Sequence, residues 1–505
     1  MSERNRLKVS KYNHILKLNC TRINSSIVFN ALTCALIELN DIYVSSLHLT
    51  KPGNKLSKKI LNEKGYKDIV EQLTYGGFLL NQNFDELSFL RYLSNSSRYS
   101  SKAISLTILP TLRCNFKCIY CYEDHPNQTM TPDVEEKLVE IIQKRLESGS
   151  SSLFIEWYGG EPLLCLDIVE RLSKRFIAFS KKYNIPFSAG MVTNGYLLNR
   201  KVINLLKELN IKRFQITLDG PPNVHNERRK LYSNGRKTFD KILENISLAS
   251  EESIAVVLRI NADKTNFNTL DELLNILNDY KFNEKNVSPY LGFVKATTTA
   301  CRDRIEYCFS EEEFAMNNAD FIRKLFDYGF KNYSFPSPSY HLCGAVTDGV
   351  YAISPNGDLF KCWETVSIPE ERVGNILDNK PRSEDQINLL KWMTYDPFKI
   401  NKCKKCNIFP ICFGGCPSAS VKHISGKIFR DVSCNTYKHN IYLNKMMEIV
   451  YSKYLRGDFK KEEEAKKERL SKDILNKEES KDKSTANSDN AQEDIKDKSS
   501  QDLEN

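Results

Sequence analysis

The 505-residue chain contains no run of about 18 apolar residues, the length a helix needs to cross a bilayer, so no membrane span is expected. Its first ten residues are charged and lack the apolar stretch of a secretory signal, which points to a cytoplasmic protein. No cluster of Lys and Arg interleaved with aromatics stands out, and nucleic acid is not expected as a partner. Short repeats of the solenoid kind are also missing. A composition of 41 % hydrophobic and 27 % charged residues excludes a collagenous, fibrous or wholly disordered chain, and the length allows two to four domains.

What is present in excess is cysteine, with 15 residues. A reducing compartment rarely keeps disulfides, so metal binding or redox chemistry leads, with small buried apolar residues as the bland alternative. Spacing decides between them.

Four regions differ in pattern. Residues 1–100 hold no ligand-spaced cysteines and read as a small α+β module. Strand-like 14–18 and 26–29 precede helix-like 31–38 and 66–73, followed by Gly76-Gly77-Phe78-Leu79-Leu80 and amphipathic 85–92. Residues 101–330 alternate strands (104–109, 153–157, 187–192, 214–218, 254–260, 287–294) with helices (132–146, 166–182, 199–209, 238–250, 269–280). Six such units predict an α/β fold with a parallel sheet, open or a partial barrel. Thr131-Pro132-Asp133 opens the first helix with a capping hydroxyl, a Pro at the first helical position and an acid at the positive dipole end. Residues 331–450 are loop-rich and hold seven cysteines. Residues 456–505 carry 12 basic and 15 acidic residues, a net −3, and read as a disordered tail whose start extends a helix. Against +9 for the whole chain, the other 455 residues carry +12.

Directly after the first strand stands Cys114-Asn-Phe-Lys-Cys118-Ile-Tyr120-Cys121. Three thiolates on one tight loop suit three irons of a [4Fe–4S] cluster and leave the fourth open. A zinc site would want a fourth ligand, for which His125 is the near candidate. Other strand ends carry Gly159-Gly160-Glu161-Pro162, Thr193-Asn194-Gly195, Asp219-Gly220-Pro221 with His225 and Arg229, and Arg259-Ile-Asn261. A parallel barrel brings such groups to one mouth, although each alone reads as a turn.

This pattern, with Tyr120 before the third cysteine, resembles the radical S-adenosylmethionine (SAM) superfamily. The resemblance implies a partial (β/α)6 barrel. Cys114, Cys118 and Cys121 would hold a cluster whose open iron binds SAM. One-electron reduction then yields a 5′-deoxyadenosyl radical that abstracts hydrogen from substrate. By the same resemblance Gly159, Gly160, Glu161 and Pro162 receive the SAM amino group. Thr193, Asn194, Asp219, Arg229 and Arg259 lie where ribose or carboxylate is held.

The second group reads Cys343-x13-Gly357-x4-Cys362, Cys403-x2-Cys406-x5-Cys412-x3-Cys416 and Cys434, spacings that suit zinc or iron–sulfur. It resembles the SPASM extension of certain radical SAM enzymes, which implies two auxiliary [4Fe–4S] clusters. Cys343, Cys362 and Cys416 would hold one, open or completed by Cys301, Cys308 or His341. Cys403, Cys406, Cys412 and Cys434 would hold the other. Cys20, Cys34 and Cys165 sit in apolar stretches and read as core.

Enzymes of this combined architecture modify peptides or proteins. The resemblance therefore implies a ribosomally synthesised precursor peptide as partner and an electron donor such as flavodoxin or ferredoxin. The N-terminal module resembles a leader-peptide recognition domain, with a generic cap as the alternative. An exposed strand edge there could capture a peptide, and the +12 charge suits an acidic one. Sulfatase-maturing members are the nearest alternative. They usually carry Asp after the second auxiliary cysteine, where this chain has Trp363 followed by Glu364, a candidate base. They also tend to carry Gln where Tyr158 precedes Gly159. A non-catalytic iron–sulfur scaffold is the reading from another class.

Overall fold

The computed structural model describes residues 7–17, 24–49, 66–100, 102–294, 299–331, 335–337, 343–366, 368–424 and 440–457. Cys20, His341, Cys434 and the tail beyond 457 lie outside the described residues.

The N-terminal segment forms β1 (Leu7–Val9), β2 (Asn13–Leu16), β3 (Ser25–Asn30), β4 (Leu36–Asn40) and β5 (Leu79–Asn81). Strands β2, β3 and β4 make an antiparallel meander, and β1 pairs with β5. The helix expected over 31–38 is instead a turn and a strand. Asn30 Oδ1 accepts from Leu32 N and Thr33 N, Cys34 takes a positive φ of 57°, and Ile37 and Leu39 pair against β3. That local side-chain bond outcompetes helix formation. Helices Tyr66–Tyr75 and Glu86–Arg98 follow as expected, the second capped by the Asp85 carboxylate.

The chain then alternates: β6 (Ala103–Ile108), β7 (Phe116–Cys118), β8 (Ser152–Trp157), β9 (Phe187–Val192), β10 (Ile211–Thr217), β11 (Arg229–Leu231), β12 (Ala255–Ala262) and β13 (Val287–Phe293). The six predicted strands are β6, β8, β9, β10, β12 and β13, paired in parallel in that order. Helices Pro132–Glu147, Leu166–Tyr183, Arg200–Glu208, Phe239–Glu251 and Leu270–Asp279 fall between them. Thr131 occupies the N-cap position, but its hydroxyl makes no capping bond. Strand residues such as Ile155, Phe214 and Leu258 are sealed against helix residues such as Leu138, Leu172 and Ile246 in one apolar cluster. Burying a side chain of this size contributes about 1.5–3 kcal/mol.

The sheet does not close. The outer edge of β6 is taken by β14 (Val350–Ile353), parallel to it, and then by antiparallel β15 (Asp358–Phe360) and β16 (Gly374–Asn375). This extension grows from the region read as loop-rich. Its strands of four, three and two residues are too short to show periodicity. No described helix is long and apolar enough to cross a membrane.

Residues 1–446 form one compact unit. Within it, the helix Glu86–Arg98 is fastened through Arg98, which is 4 % exposed. Its guanidinium donates to Val346 O (2.7 Å), Tyr395 O (2.5 Å), Trp392 O (3.2 Å) and Met393 O (2.6 Å). The last three carbonyls lie at the C-terminus of the helix Ser383–Met393, where a cation is favoured. Residues 447–505 form a second unit, described only to 457, which contains the end of the helix Asn440–Leu455. Replacing Arg98 with Ala strands these carbonyls and is expected to cost about 2–4 kcal/mol, read as a lowered unfolding midpoint. Arg98→Lys recovers only part of the loss, because one ammonium cannot reach four carbonyls.

Candidate active site

At the C-terminal end of β6 the chain turns through Leu109–Arg113 into Cys114. Strand β7 then carries Cys118 and pairs antiparallel with β11, placing Cys118 opposite Arg229. Cys114, Cys118 and Cys121 all line one cavity of about 620 Å³. Burial pushes each thiol up in pKa, Cys121 to about 12. Thiols this reluctant to ionise become thiolates only beside a strong positive charge, which iron would supply. His125 Nε2 lies 3.3 Å from Cys121 Sγ, while its Nδ1 lies 3.1 Å from Leu112 O.

A second strip locks onto this loop. Gly160 N donates to Thr111 O (3.2 Å) and Glu161 N to Arg113 O (2.9 Å). A Cβ on Gly159, whose φ is +117°, would lie 2.3 Å from Thr111 O, and one on Gly160 2.3 Å from Arg113 O. Only glycine permits that approach. Gly159 and Gly160 line the cavity, whereas Glu161 turns inward. It is fully buried and accepts from Leu163 N (3.1 Å), Thr193 Oγ1 (2.7 Å) and Asn194 N (2.7 Å). Burial raises its pKa and these bonds oppose the rise. Pro162 opens the short turn that follows and, like Glu161 and Asp219, does not line the cavity.

Tyr120 is a hub. Its hydroxyl donates to Asp219 Oδ2 (2.5 Å) and accepts from Arg229 Nη1 (2.8 Å) and Asn261 Nδ2 (3.1 Å). Asp219 also accepts from Asn261 N (3.1 Å). Thr193, Asn194, Arg229, Arg259 and Glu364 all reach the cavity wall. The cavity donor set of three half-buried thiols, a glycine strip and a guanidinium fits a cluster-bound SAM.

Three groupings of lining residues were not expected from the sequence, although Tyr158 and Arg259 were singled out individually. Glu123, Tyr122 and Tyr158 form one: the two tyrosine hydroxyls bond each other, and burial lifts Glu123 to about 7 against bonds from both phenols. Paired Glu156 and Arg213 form another. The third comprises Gln215 and Tyr290 beside Arg259. A signal existed for the last two. Strands of a covered parallel sheet are usually apolar on both faces, yet Glu156, Arg213, Gln215, Arg259 and Asn261 alternate along β8, β10 and β12.

Among the other cysteines, charges on Glu364, Cys416 and Cys343 add to burial in pushing Cys362 up, so these residues share one neighbourhood. Cys403, Cys412 and Cys416 likewise surround the Tyr395 hydroxyl electrostatically. Gly414 fits because a Cβ there would meet Pro397 Cβ at 2.7 Å. Cys165 is core, Cys34 half-buried in its turn, and Cys308 Sγ bonds Arg304 O (3.3 Å).

Residues 108–279 match the family model described as the Radical SAM superfamily. Residues 108–279 thus form a radical SAM domain, and the chain is similar to a radical SAM cyclopropyl synthase and to sulfatase-maturating enzymes. It is 22 % identical over 463 residues to the radical SAM cyclopropyl synthase TigE of Paramaledivibacter caminithermalis, covering 86 % of this chain and 94 % of that one. Over 371 residues it is 26 % identical to the cysteine-type anaerobic sulfatase-maturating enzyme of Clostridium novyi, covering 67 % and 94 %. The solved structure of native anSMEcpe with bound AdoMet and Cp18Cys peptide superposes with a TM-score of 0.54 at 20 % identity, covering 70 % and 98 %, which shows a shared fold.

Glu123 yields a pH prediction. Its folded pKa of about 7 lies above the ordinary 4.5, so the fold holds a proton that the unfolded chain releases. Its favourable contribution is complete below pH 4.5 and is lost as pH rises towards 7. Glu123→Gln removes that loss, so the variant's melting midpoint should gain on wild type through this window, by up to about 3 kcal/mol of stability. A difference that stays flat with pH contradicts the assignment.

Proposed function

We propose that this protein modifies a ribosomally synthesised peptide, installing a thioether or other crosslink after hydrogen abstraction. The observation that carries the reading is the 620 Å³ cavity. It is lined by three half-buried thiols, the Gly159-Gly160 strip and the polar side chains of Glu156, Arg213, Gln215 and Arg259. That volume lies within the usual range for a cofactor or ligand site of about 300–1,000 Å³. Cys114, Cys118 and Cys121 would hold a [4Fe–4S] cluster, and Gly159, Gly160, Thr193, Asn194, Arg229 and the Tyr120–Asp219 pair would orient SAM. Bound there, the two would supply one-electron SAM cleavage and hydrogen-atom abstraction. Glu161 serves from behind, fixing Thr193 and Asn194. Cys343, Cys362 and Cys416, and Cys403, Cys406 and Cys412 with Cys434, are assigned to auxiliary clusters. A flavodoxin or ferredoxin would deliver electrons, in the cytoplasm. Support for a peptide comes from the substrate class in the sulfatase-maturating relative's name and from the peptide bound in the anSMEcpe structure.

Sulfatase maturation is the second reading, favoured by similarity across 94 % of the Clostridium novyi enzyme and by Glu364 on the cavity wall. Trp363 speaks for the peptide reading. It is 51 % exposed and stacks on Tyr158, closing the rim with an aromatic plate where those relatives usually carry Asp.

Anaerobically purified protein given dithionite and SAM should form 5′-deoxyadenosine, and Cys118→Ala should abolish it. Gly160→Ala should reduce both iron content and SAM affinity by about tenfold or more, because its Cβ collides with a backbone oxygen. Co-expression with a short neighbouring reading frame should yield a peptide lighter by two hydrogens. Modification of a co-expressed sulfatase instead would favour the second reading.

A further inference from the structure

The interior of the sheet holds a positive charge that no carboxylate among the described residues neutralises. Arg213 is paired with Glu156. Arg259 donates Nε to Asn261 Oδ1 (2.7 Å) and Nη1 to the Tyr290 hydroxyl (3.2 Å), both neutral. Tyr290 in turn donates to Gln215 Oε1 (3.0 Å). Among the described residues no carboxylate comes within ion-pair distance of Arg259. A guanidinium has five N–H groups, so three here remain for an occupant of the cavity that Arg259 lines.

The backbone is cleared for this group. A Cβ on Gly292 would lie 2.6 Å from Arg259 Nε and 2.7 Å from Asn261 Oδ1. Gly190 does the same for the neighbouring pair, 2.8 Å from Glu156 Oε1 and 2.9 Å from Arg213 Nη2. Glycine weakens a strand, so two of them at these positions mark space kept for polar side chains.

Depth separates Arg259 from the cysteine loop. Asn261 reaches Tyr120, at the level of the thiols. Arg259 stands one inward-facing position, about 6–7 Å along the strand, below it. Arg229, bonded directly to Tyr120, is the arginine at the cysteine level.

We propose that Arg259, held by Tyr290 and Asn261, receives the side-chain carboxylate of an Asp or Glu of the substrate, which sets that residue's position beneath the reacting centre. This rests on the peptide reading above and assigns Arg259 to substrate rather than to SAM. A planar guanidinium matches a carboxylate with two parallel hydrogen bonds and rejects the neutral amide isostere. The +12 charge outside the acidic tail would draw an acidic peptide towards the protein.

The test uses anaerobically purified full-length protein and two Gly-Ser heptapeptides, one with a central Glu and one with Gln, followed by ligand-observed NMR titration. The Glu peptide should bind about tenfold or more tightly than the Gln peptide. Arg259→Gln should erase that preference by weakening only the Glu peptide. Arg259→Lys should keep part of it, and Tyr290→Phe, which releases the guanidinium, should reduce it while the fold stays intact by circular dichroism. Equal affinity of both peptides for wild type, undetectable binding of the Glu peptide at millimolar concentration, or a preference that survives Arg259→Gln overturns the proposal. So does a SAM affinity, measured by equilibrium dialysis, that falls about tenfold in Arg259→Gln while the peptide preference stays. A co-expressed peptide that is modified equally with Glu or Gln would remove this inference and leave the peptide reading standing. An Arg259-dependent Glu preference with no peptide modified would do the reverse.

Discussion

The closest approach of backbone to backbone in the mouth of the sheet, Gly159-Gly160 against Thr111–Arg113, is the constraint on which the rest of the site depends. Two loops from neighbouring parallel strands lie side by side with room for hydrogen atoms only. The cysteine loop therefore has a fixed floor, and its thiols face one cavity. Glu161, the next residue, carries the order onward. Its buried carboxylate binds the Thr193 hydroxyl and the Asn194 amide at the end of β9. From the other side, Tyr120 ties the loop to Asp219 after β10 and Asn261 on β12. Five strand ends are thus held by a few charge-assisted bonds, which are strong where water is excluded.

Below this ring the interior is unusual for a parallel sheet. Its outer face packs apolar side chains against helices, while its inner face carries Glu156, Arg213, Gln215, Arg259 and Tyr290. Burying such groups costs several kcal/mol unless they are bonded, and here they are bonded largely to one another. A chain selected for stability alone would fill the space with Val and Ile. Polar groups kept there, with glycines cleared beside them, indicate that the interior exists to be occupied.

The extension β14–β16 has a related role. By adding to the free edge of β6 it brings Trp363 and Glu364 to the rim of the same cavity. Trp363 and Glu364, next in sequence to the proposed auxiliary ligand Cys362, thus become rim residues through sheet pairing rather than proximity in sequence to the cysteine loop.

The sequence by itself determined the six strand–helix units, five intervening helices to within a residue or two, and the membership of the cysteine loop. Each rests on a local signal: hydrophobic period, glycine and proline punctuation, or ligand spacing. Local signals also misled where a side chain settled the matter, as when Asn30 turned an apolar stretch into a hairpin. Only the tertiary structure decided that Glu161 braces neighbouring strand ends instead of facing the cavity, that Arg98 clamps a distant helix end, and that β14 joins β6. It also decided that Arg213 finds a carboxylate while Arg259 does not. The physical reason is common to all of these. Direction of a side chain and the identity of its partners depend on which strands become neighbours, and the strength of each pairing depends on how much water the packing removes.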